Sequence, residues 1–144
     1  MAGWEALVLG LVVFVFGTLF VANVWAVIDA KMAATSAARE AARAFALAEE
    51  DAAGAAGTAA EQALAAQGWP RAAGEVLGLD GVHARCAVVT ATVTLSVEPI
   101  AVPTGGFTHA FPVRSSHRER VDPLRGGLGG AVDPRPGESI CGAP

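Results

Sequence analysis

The first half of the chain is dominated by one uninterrupted apolar segment with a single carboxylate in front of it. Residues Ala6–Ile28 contain no charged side chain, and their only polar members are Thr18 and Asn23. At about 1.5 Å per helical residue, these 23 residues reach roughly 34 Å, which is enough to cross the hydrocarbon core of a bilayer. Because backbone amides in lipid must be satisfied within the segment, the pattern predicts a membrane-spanning helix behind Glu5.

The length and the flanks of this segment favour an uncleaved anchor over a secretory signal peptide. Signal peptides have a basic region, a shorter apolar core and a small-residue cleavage site, whereas here no Lys or Arg precedes the run. Trp4 and Trp25 bracket the run at a helical separation of about 32 Å, which would place one indole at each membrane interface. The lipid bilayer is therefore the first predicted partner.

Beyond the apolar run the chain is predicted to stay helical, but its composition changes to alanine. Residues 33–66 hold 18 alanines in 34 positions. Since Ala is the strongest helix former, the first helix is expected to continue to about Ala48. The helix is predicted to end there, because an acidic cluster at 49–51 opposes the helix dipole and Gly54 and Gly57 disfavour further helix.

A row of small residues runs along this helix at a spacing of four. Small side chains at that spacing form a ridge against which another helix can pack closely. A segment that is half alanine also produces such a row by composition alone. The predicted packing residues are Ala22, Ala26, Ala30, Ala34, Ala38 and Ala42.

A second, shorter helix is predicted from a capping pattern. Thr58 and Glu61 have the spacing of a capping box, the helix Ala59–Gln67 comes next, and Gly68 provides the C-terminal glycine. The composition then shifts, and β-strand signals begin around residues 74–81.

The clearest strand signal is an alternation that runs from Val89 to Val97. Every second residue is apolar and the residues between them are Thr or Ser, which is the pattern of a half-buried strand. Residues 107–121 form a second strand candidate, in which Pro112 predicts an edge position or a bulge.

The rest of the C-terminal half carries loop signals. Two prolines and two glycines between the strand candidates predict a loop at residues 99–106. The Gly- and Pro-rich residues 123–144 are predicted to form a flexible tail.

These elements predict an α+β fold with a long N-terminal transmembrane helix, a short second helix, a small antiparallel β-sheet and a flexible tail. The corresponding divisions are 1–50 for the long helix, 51–80 for the short helix and linker, 81–122 for the β module and 123–144 for the tail. Because a sheet of two or three strands is marginal alone, we expect it to pack on the alanine-rich helix or on neighbouring subunits.

Cysteine usage and basic residues give opposite indications of membrane orientation. Cys86 and Cys141 are far apart and have no metal-like spacing, which fits one disulfide in an oxidising compartment, worth about 4 kcal/mol in chain entropy. Two free thiols are the alternative.

Lys31, Arg39 and Arg43 come after the span and no basic residue precedes it, which by the positive-inside rule would place the C-terminal part in the cytoplasm.

Residues with catalytic or metal-binding potential are few and show no site pattern. His109 and His117 have the same parity in the second strand candidate but lack a third ligand. Ser115, His117 and Glu119 are too close in sequence for their side chains to converge as a triad. The chain beyond the apolar run has 10 basic and 13 acidic side chains, which argues against nucleic acid as a partner. We therefore predict neither enzymatic activity nor a cofactor.

Two sets of charged residues have open interpretations. Arg114, Arg118 and Arg120 would share one strand face, either as a solvated surface or as a contact with an acidic partner. Glu5 is either an interfacial carboxylate that favours the helix N-terminus, or a subunit-assembly residue. In the second case its charge would be neutralised inside a filament by the free N-terminal amine of an adjacent subunit.

Taken in order, these elements resemble TadE-type pilus assembly proteins of the tight-adherence (Flp, type IVc) pilus system, in the form found in actinobacteria. The resemblance rests on Glu5 before the apolar run, Ala-Ala-Arg-Glu-Ala-Ala-Arg-Ala at 37–44, the Thr/Val strand at 88–97, and Ser-His-Arg-Glu-Arg-Val-Asp-Pro at 116–123. It implies a minor pilin or assembly factor in the cell membrane, with its C-terminal part outside the cytoplasm. Its partners would be other pilin-like subunits, the assembly machinery and prepilin peptidase. An accessory membrane scaffold of a secretion complex is the alternative.

The resemblance also raises an expectation about the N-terminus. Prepilins of this kind usually carry a short basic leader that ends in Gly, with Glu five residues after the cleavage point. No basic leader precedes Gly3, whereas cleavage directly before Met1 would make Glu5 the fifth residue. We therefore expect that the natural start lies upstream of Met1 or that the leader is omitted from this sequence.

N-terminal and intact-mass spectrometry of the native envelope protein tests this expectation and the disulfide together. We expect a processed N-terminus with Glu5 near position five, because prepilin peptidase would remove the leader. Reduction should raise the mass by two hydrogen atoms, because one disulfide opens. An unprocessed Met1 with two free thiols would contradict both processing and the extracytoplasmic orientation.

Overall fold

The computed structural model describes residues 3–69, 76–100, 110–124, 126–128 and 141. These residues form an α+β fold of two helices and a three-stranded antiparallel sheet, which confirms the predicted fold class. The elements are α1 (Gly3–Leu47), α2 (Ala52–Ala66), β1 (Leu77–Asp80), β2 (Val88–Val97) and β3 (Phe111–Arg120). Most of the tail predicted at 123–144 lies outside the described residues.

Helix α1 is continuous for 45 residues, or about 68 Å, and has two different surroundings. Its N-terminal half lies outside the folded part of the chain, and its C-terminal half forms the centre of that part. All its buried side chains lie between Ala30 and Ala46, and all of them except Phe45 are alanines. The helix ends at Leu47, next to the predicted end at Ala48.

Helix α2 begins at Ala52, so the predicted start at the capping box of Thr58 and Glu61 is wrong. Asp51 is the N-cap, and its carboxylate accepts a hydrogen bond from the Gly54 amide at 3.0 Å. A carboxylate at this position stabilises the helix N-terminus, and Gly54 leaves room for it because a Cβ there would collide with that carboxylate. Thr58 lies inside the helix, where its hydroxyl donates to the Gly54 carbonyl at 3.0 Å.

The end of α2 is a Schellman turn at the predicted glycine. Gly68 has a φ of 77° and its amide donates to the Ala65 carbonyl, while the Trp69 amide donates to the Leu64 carbonyl at 2.9 Å. Glycine is favoured here because the left-handed conformation has no Cβ penalty in this residue. The prediction of Gly68 as the helix stop is confirmed, and the turn leaves Trp69 next to α1.

The sheet has the order β1-β2-β3, with β2 in the centre. The alternation predicted for β2 is confirmed, because its apolar residues from Val89 to Val97 are buried and the Thr and Ser residues between them are more exposed. Gly81 follows β1 with a φ of 126°, and a Cβ there would lie only 2.6 Å from the Val88 carbonyl oxygen. Close approach of the backbone to β2 therefore requires glycine at this turn.

Strand β3 is an edge strand of the described sheet and begins later than predicted. It starts at Phe111, and residues 101–109 lie outside the described residues. Pro112 pairs with Ser96 near the start of β3. The predicted edge position is confirmed, and it suits a residue that has no amide proton to donate to a further strand.

The core lies where α2 and the sheet meet the alanine face of α1. Helix α1 contacts α2 as well as β2 and β3. Because each alanine presents a single methyl group, the partner elements can come close to the α1 backbone. The larger buried side chains come mainly from those partners, among them Leu64 from α2 and Leu95 from β2.

The substitution Ala60→Leu should lower the free energy of unfolding by about 1–3 kcal/mol, because added methylenes overpack a close contact. Ala60 is fully buried in the core, whereas Ala65 on the same helix is exposed. The matched variant Ala65→Leu should change the free energy by less than about 0.5 kcal/mol. Urea unfolding of the detergent-solubilised chain, followed by circular dichroism, measures both. Equal losses would contradict close packing on the alanine face.

Candidate membrane-anchoring site

The N-terminal half of α1 leaves most of its apolar side chains uncovered by the other described residues. Leu7, Leu9, Phe14 and Phe20 are each exposed by 66% or more. Such a continuous apolar surface is not stable in water and indicates an apolar partner. By length and composition this helix can cross a membrane, and an N-terminal signal sequence satisfies the same two criteria.

The two polar side chains of the apolar segment are satisfied within the protein. Thr18 Oγ1 donates to the Phe14 carbonyl at 2.8 Å, and Asn23 Nδ2 donates to the Leu19 carbonyl at 2.8 Å. Bonding to the preceding helical turn is the usual way for such groups to avoid an unsatisfied donor in an apolar medium. These contacts suit a helix surrounded by lipid.

Glu5 lies in the first turn of α1 and is exposed. Among the described residues it forms no hydrogen bond or ion pair. Its carboxylate is well placed to interact with the positive end of the helix dipole. Trp4 and Trp25, the two predicted interfacial residues, are each 69% exposed.

Three polar contacts attach the folded part of the chain to the first turns of α1 after the apolar segment, and we call them the collar. They are the hydrogen bonds from Trp69 Nε1 to Asp29 Oδ2, from Lys31 Nζ to the Arg114 carbonyl, and between Thr35 Oγ1 and Ser115 Oγ. The first of these has a length of 2.9 Å and joins the end of α2 to the first charged residue after the run. The collar therefore joins the folded part to α1 directly after the apolar segment.

The end of the β2–β3 hairpin reaches past the collar onto the apolar segment itself. The Ile100 amide donates to Asn23 Oδ1 at 2.8 Å. A groove of about 340 Å³ lies between the two elements, and its lining residues are Phe16, Leu19, Phe20, Asn23, Pro99, Ile100 and Phe111. The sequence predicted only a loop at residues 99–106 and did not indicate this contact, because a loop has no periodic pattern that shows what it packs against.

The predicted alanine ridge is divided between two surroundings. Ala30, Ala34, Ala38 and Ala42 are fully buried in the core, whereas Ala22 and Ala26 are half-buried. The four buried alanines are enclosed by this chain's own elements. They are therefore not available for direct contact with another subunit.

Cys86 and Cys141 form a disulfide, with Cα atoms 5.2 Å apart. Cys86 lies between β1 and β2 with a φ of 62°, and its amide donates to the Val121 carbonyl at 3.2 Å. The bond joins residue 141 to the end of the sheet distant from the apolar segment. Of the two alternatives for the cysteines, the structure shows the disulfide.

The other polar side chains singled out from the sequence do not converge. No group of three or more His, Cys, Asp or Glu side chains within the described ranges could hold a metal ion, and His109 lies outside those ranges. His117 lies 3.5 Å from Glu119, while Ser115 bonds to α1. The three arginines of β3 lie on one exposed face of the strand, as predicted: Arg114, Arg118 and Arg120.

Comparisons of the chain with protein-family models, with curated proteins and with solved structures find no match. The pilin-like assignment therefore stays a prediction from the sequence, and the functional argument rests on the geometry of α1, the collar and the disulfide.

A double-mutant cycle on Trp69→Phe and Asp29→Ala tests the collar. We expect a coupling free energy of about 1–2 kcal/mol, because the indole N–H bonds to a charged acceptor that neither single variant can replace. Trp25→Phe is the matched control, since that indole is 69% exposed and should change the free energy of unfolding by less than about 0.5 kcal/mol. Chemical unfolding of the solubilised chain provides the numbers, and additive losses would exclude an energetic role for this contact.

Proposed function

We propose that this chain is a membrane-anchored, pilin-like structural protein, a minor pilin or assembly factor of a tight-adherence type pilus or a related secretion machine. The observation on which the proposal mainly rests is that one continuous helix is both an apolar segment largely uncovered by the described residues and the central helix of a small folded domain. A span joined without a hinge to a domain core holds that domain at a set distance and rotation from the bilayer. Such a fixed placement suits a subunit that stacks with others.

The disulfide supports an extracytoplasmic position for the folded domain. Disulfides persist in oxidising compartments and are rare in the cytoplasm, and Cys86 is bonded to Cys141. Lys31, Arg39 and Arg43 gave the opposite indication as basic residues after the span. Of these, Lys31 also has a structural role, because its ammonium group donates to the Arg114 carbonyl in the collar.

Glu5 is the residue to which we assign subunit assembly. When such helices bundle, its carboxylate enters apolar surroundings, where an unpaired charge is strongly unfavourable. Within the described residues of its own chain Glu5 has no ion-pair partner, which is consistent with a partner supplied by a neighbouring subunit. The N-terminal amine of that subunit has the required charge.

Glu5→Ala should abolish incorporation into a filament while leaving membrane insertion intact. Losing one member of a buried charge pair costs about 3–5 kcal/mol, so the amount recovered in a sheared surface fraction should fall by about 100-fold or more. Glu40→Ala is the matched control, because Glu40 is exposed on the same helix outside the apolar segment. Immunoblots of sheared and membrane fractions measure both proteins.

The same fractions separate the filament subunit from the accessory scaffold. A wild-type chain that is found only in membranes, with Glu5→Ala and Glu40→Ala behaving alike, would favour a scaffold that never enters a filament. A Glu5→Ala chain recovered in the sheared fraction at wild-type levels would exclude the assembly role of this carboxylate.

A further inference from the structure

We propose that the hairpin end, formed by Pro99, Ile100 and Phe111, inserts into the interfacial layer of the lipid bilayer beside the span. The inference rests on the membrane anchorage in the proposed function and adds a second contact between the folded domain and lipid. Its occupant is the bilayer on the side of the folded domain.

The position of the hairpin end along α1 is the first argument. Ile100 is hydrogen-bonded to Asn23, which lies five residues before the end of the uncharged run at Ile28. Five helical residues correspond to about 7.5 Å, which is within the 5–10 Å to which interfacial apolar groups are buried. A span that places Ile28 at the edge of the hydrocarbon therefore places the hairpin end about 7.5 Å inside that edge, which is the depth of interfacial apolar groups.

The chemistry of the hairpin end is the second argument. Ile100 and Phe111 are 48% and 46% exposed, although both are large apolar side chains. Their exposed surface adjoins that of Phe16 and Phe20 across the shared groove, so one apolar surface extends from the span onto the domain. Exposed apolar surface that continues a lipid-facing surface is most simply covered by the same lipid.

The distribution of charge sets the depth of insertion. The described residues of the hairpin end, 99–100 and 110–113, include no Asp, Glu, Lys or Arg. Glu98, directly before them, is exposed. Its carboxylate requires water or headgroups, because a charge in the hydrocarbon core is strongly unfavourable. The hairpin end therefore reaches the interfacial layer and stops there.

The opposite end of the sheet provides an internal control. Val82 is 66% exposed, more than Ile100, and it precedes His83, whose ring lies 5.3 Å from that of Phe45. Phe45 lies 22 residues after Asn23 along α1, or about 33 Å. Val82 is thus an equally apolar exposed position that should lie far above the membrane.

Depth-dependent fluorescence quenching on the full chain tests the proposal. A genetically encoded dansyl side chain is placed singly at positions 100, 111, 82 and 13, and each protein is reconstituted into phosphatidylcholine–phosphatidylglycerol vesicles that contain doxyl-labelled lipid. Because position 13 lies inside the apolar segment, 15 residues before Ile28 and far from the folded domain, it reports anchorage alone. Circular dichroism and the intact Cys86–Cys141 disulfide verify that each variant is folded.

We expect quenching at positions 100 and 111 of at least about half that at position 13, strongest with the shallow doxyl label, as for interfacial groups. Position 82 should be unquenched. If position 13 is strongly quenched but position 100 is quenched no more than position 82, the hairpin proposal is overturned and the anchorage is left intact. That result would also be obtained if a second copy of the chain covered the hairpin end. No quenching at position 13 would overturn the anchorage and, with it, this inference.

Discussion

The structure depends on the close approach of α2 and the sheet to the alanine face of α1. Along 17 residues of α1, from Ala30 to Ala46, every buried side chain but Phe45 is a methyl group. Each buried methyl contributes only about 0.8 kcal/mol from the hydrophobic effect. The main effect of these small methyl groups is that the backbones of α2 and the sheet can approach the backbone of α1 closely. Close backbones allow many favourable van der Waals contacts per residue. The larger side chains that fill the core come mainly from α2 and β2.

Packing on such a face has a consequence for the rest of the molecule. Because α1 is the central helix of the domain and is continuous with the apolar segment, the two cannot rotate independently without breaking the helix. The collar adds directional contacts at Asp29, Lys31 and Thr35, where the surroundings of the helix change. A rigid joint of this kind is what the proposed assembly function requires, since neighbouring subunits would interact through both the span and the domain.

The polar and apolar contacts on the two sides of the collar have different roles. Hydrogen bonds such as Trp69 to Asp29 define a register between the domain and α1, because their geometry is narrow. The apolar hairpin end does not define such a register. It enlarges the apolar surface of the span, and this surface favours an apolar environment. In the proposed arrangement the domain is held by its core and also rests on the bilayer through Ile100 and Phe111, which limits its tilt.

Sequence patterns correctly predicted those elements that depend on residues close together in the chain. The uncharged run after Glu5 predicted the exposed apolar helix, the alternation from Val89 predicted β2, and Gly68 predicted the end of α2. Each of these depends on periodicity or backbone conformation within a few residues. The predicted start of α2 was wrong because two local signals competed: Asp51 with Gly54 formed the cap, and packing on α1 tolerated glycines that disfavour an isolated helix.

Only the tertiary structure determined which parts of the chain meet. The sequence contains two cysteines, but their pairing depended on the fold bringing Cys141 to Cys86. The contact of Ile100 with Asn23, and the burial of Ala30 but not Ala22, likewise depend on how far the hairpin and α2 extend along α1. By itself, the sequence determined one long helix with an apolar half and an alanine half. Packing decided which surfaces of that helix the domain covers. The sequence could not show this, because contacts between residues far apart in the chain produce no periodic sequence pattern.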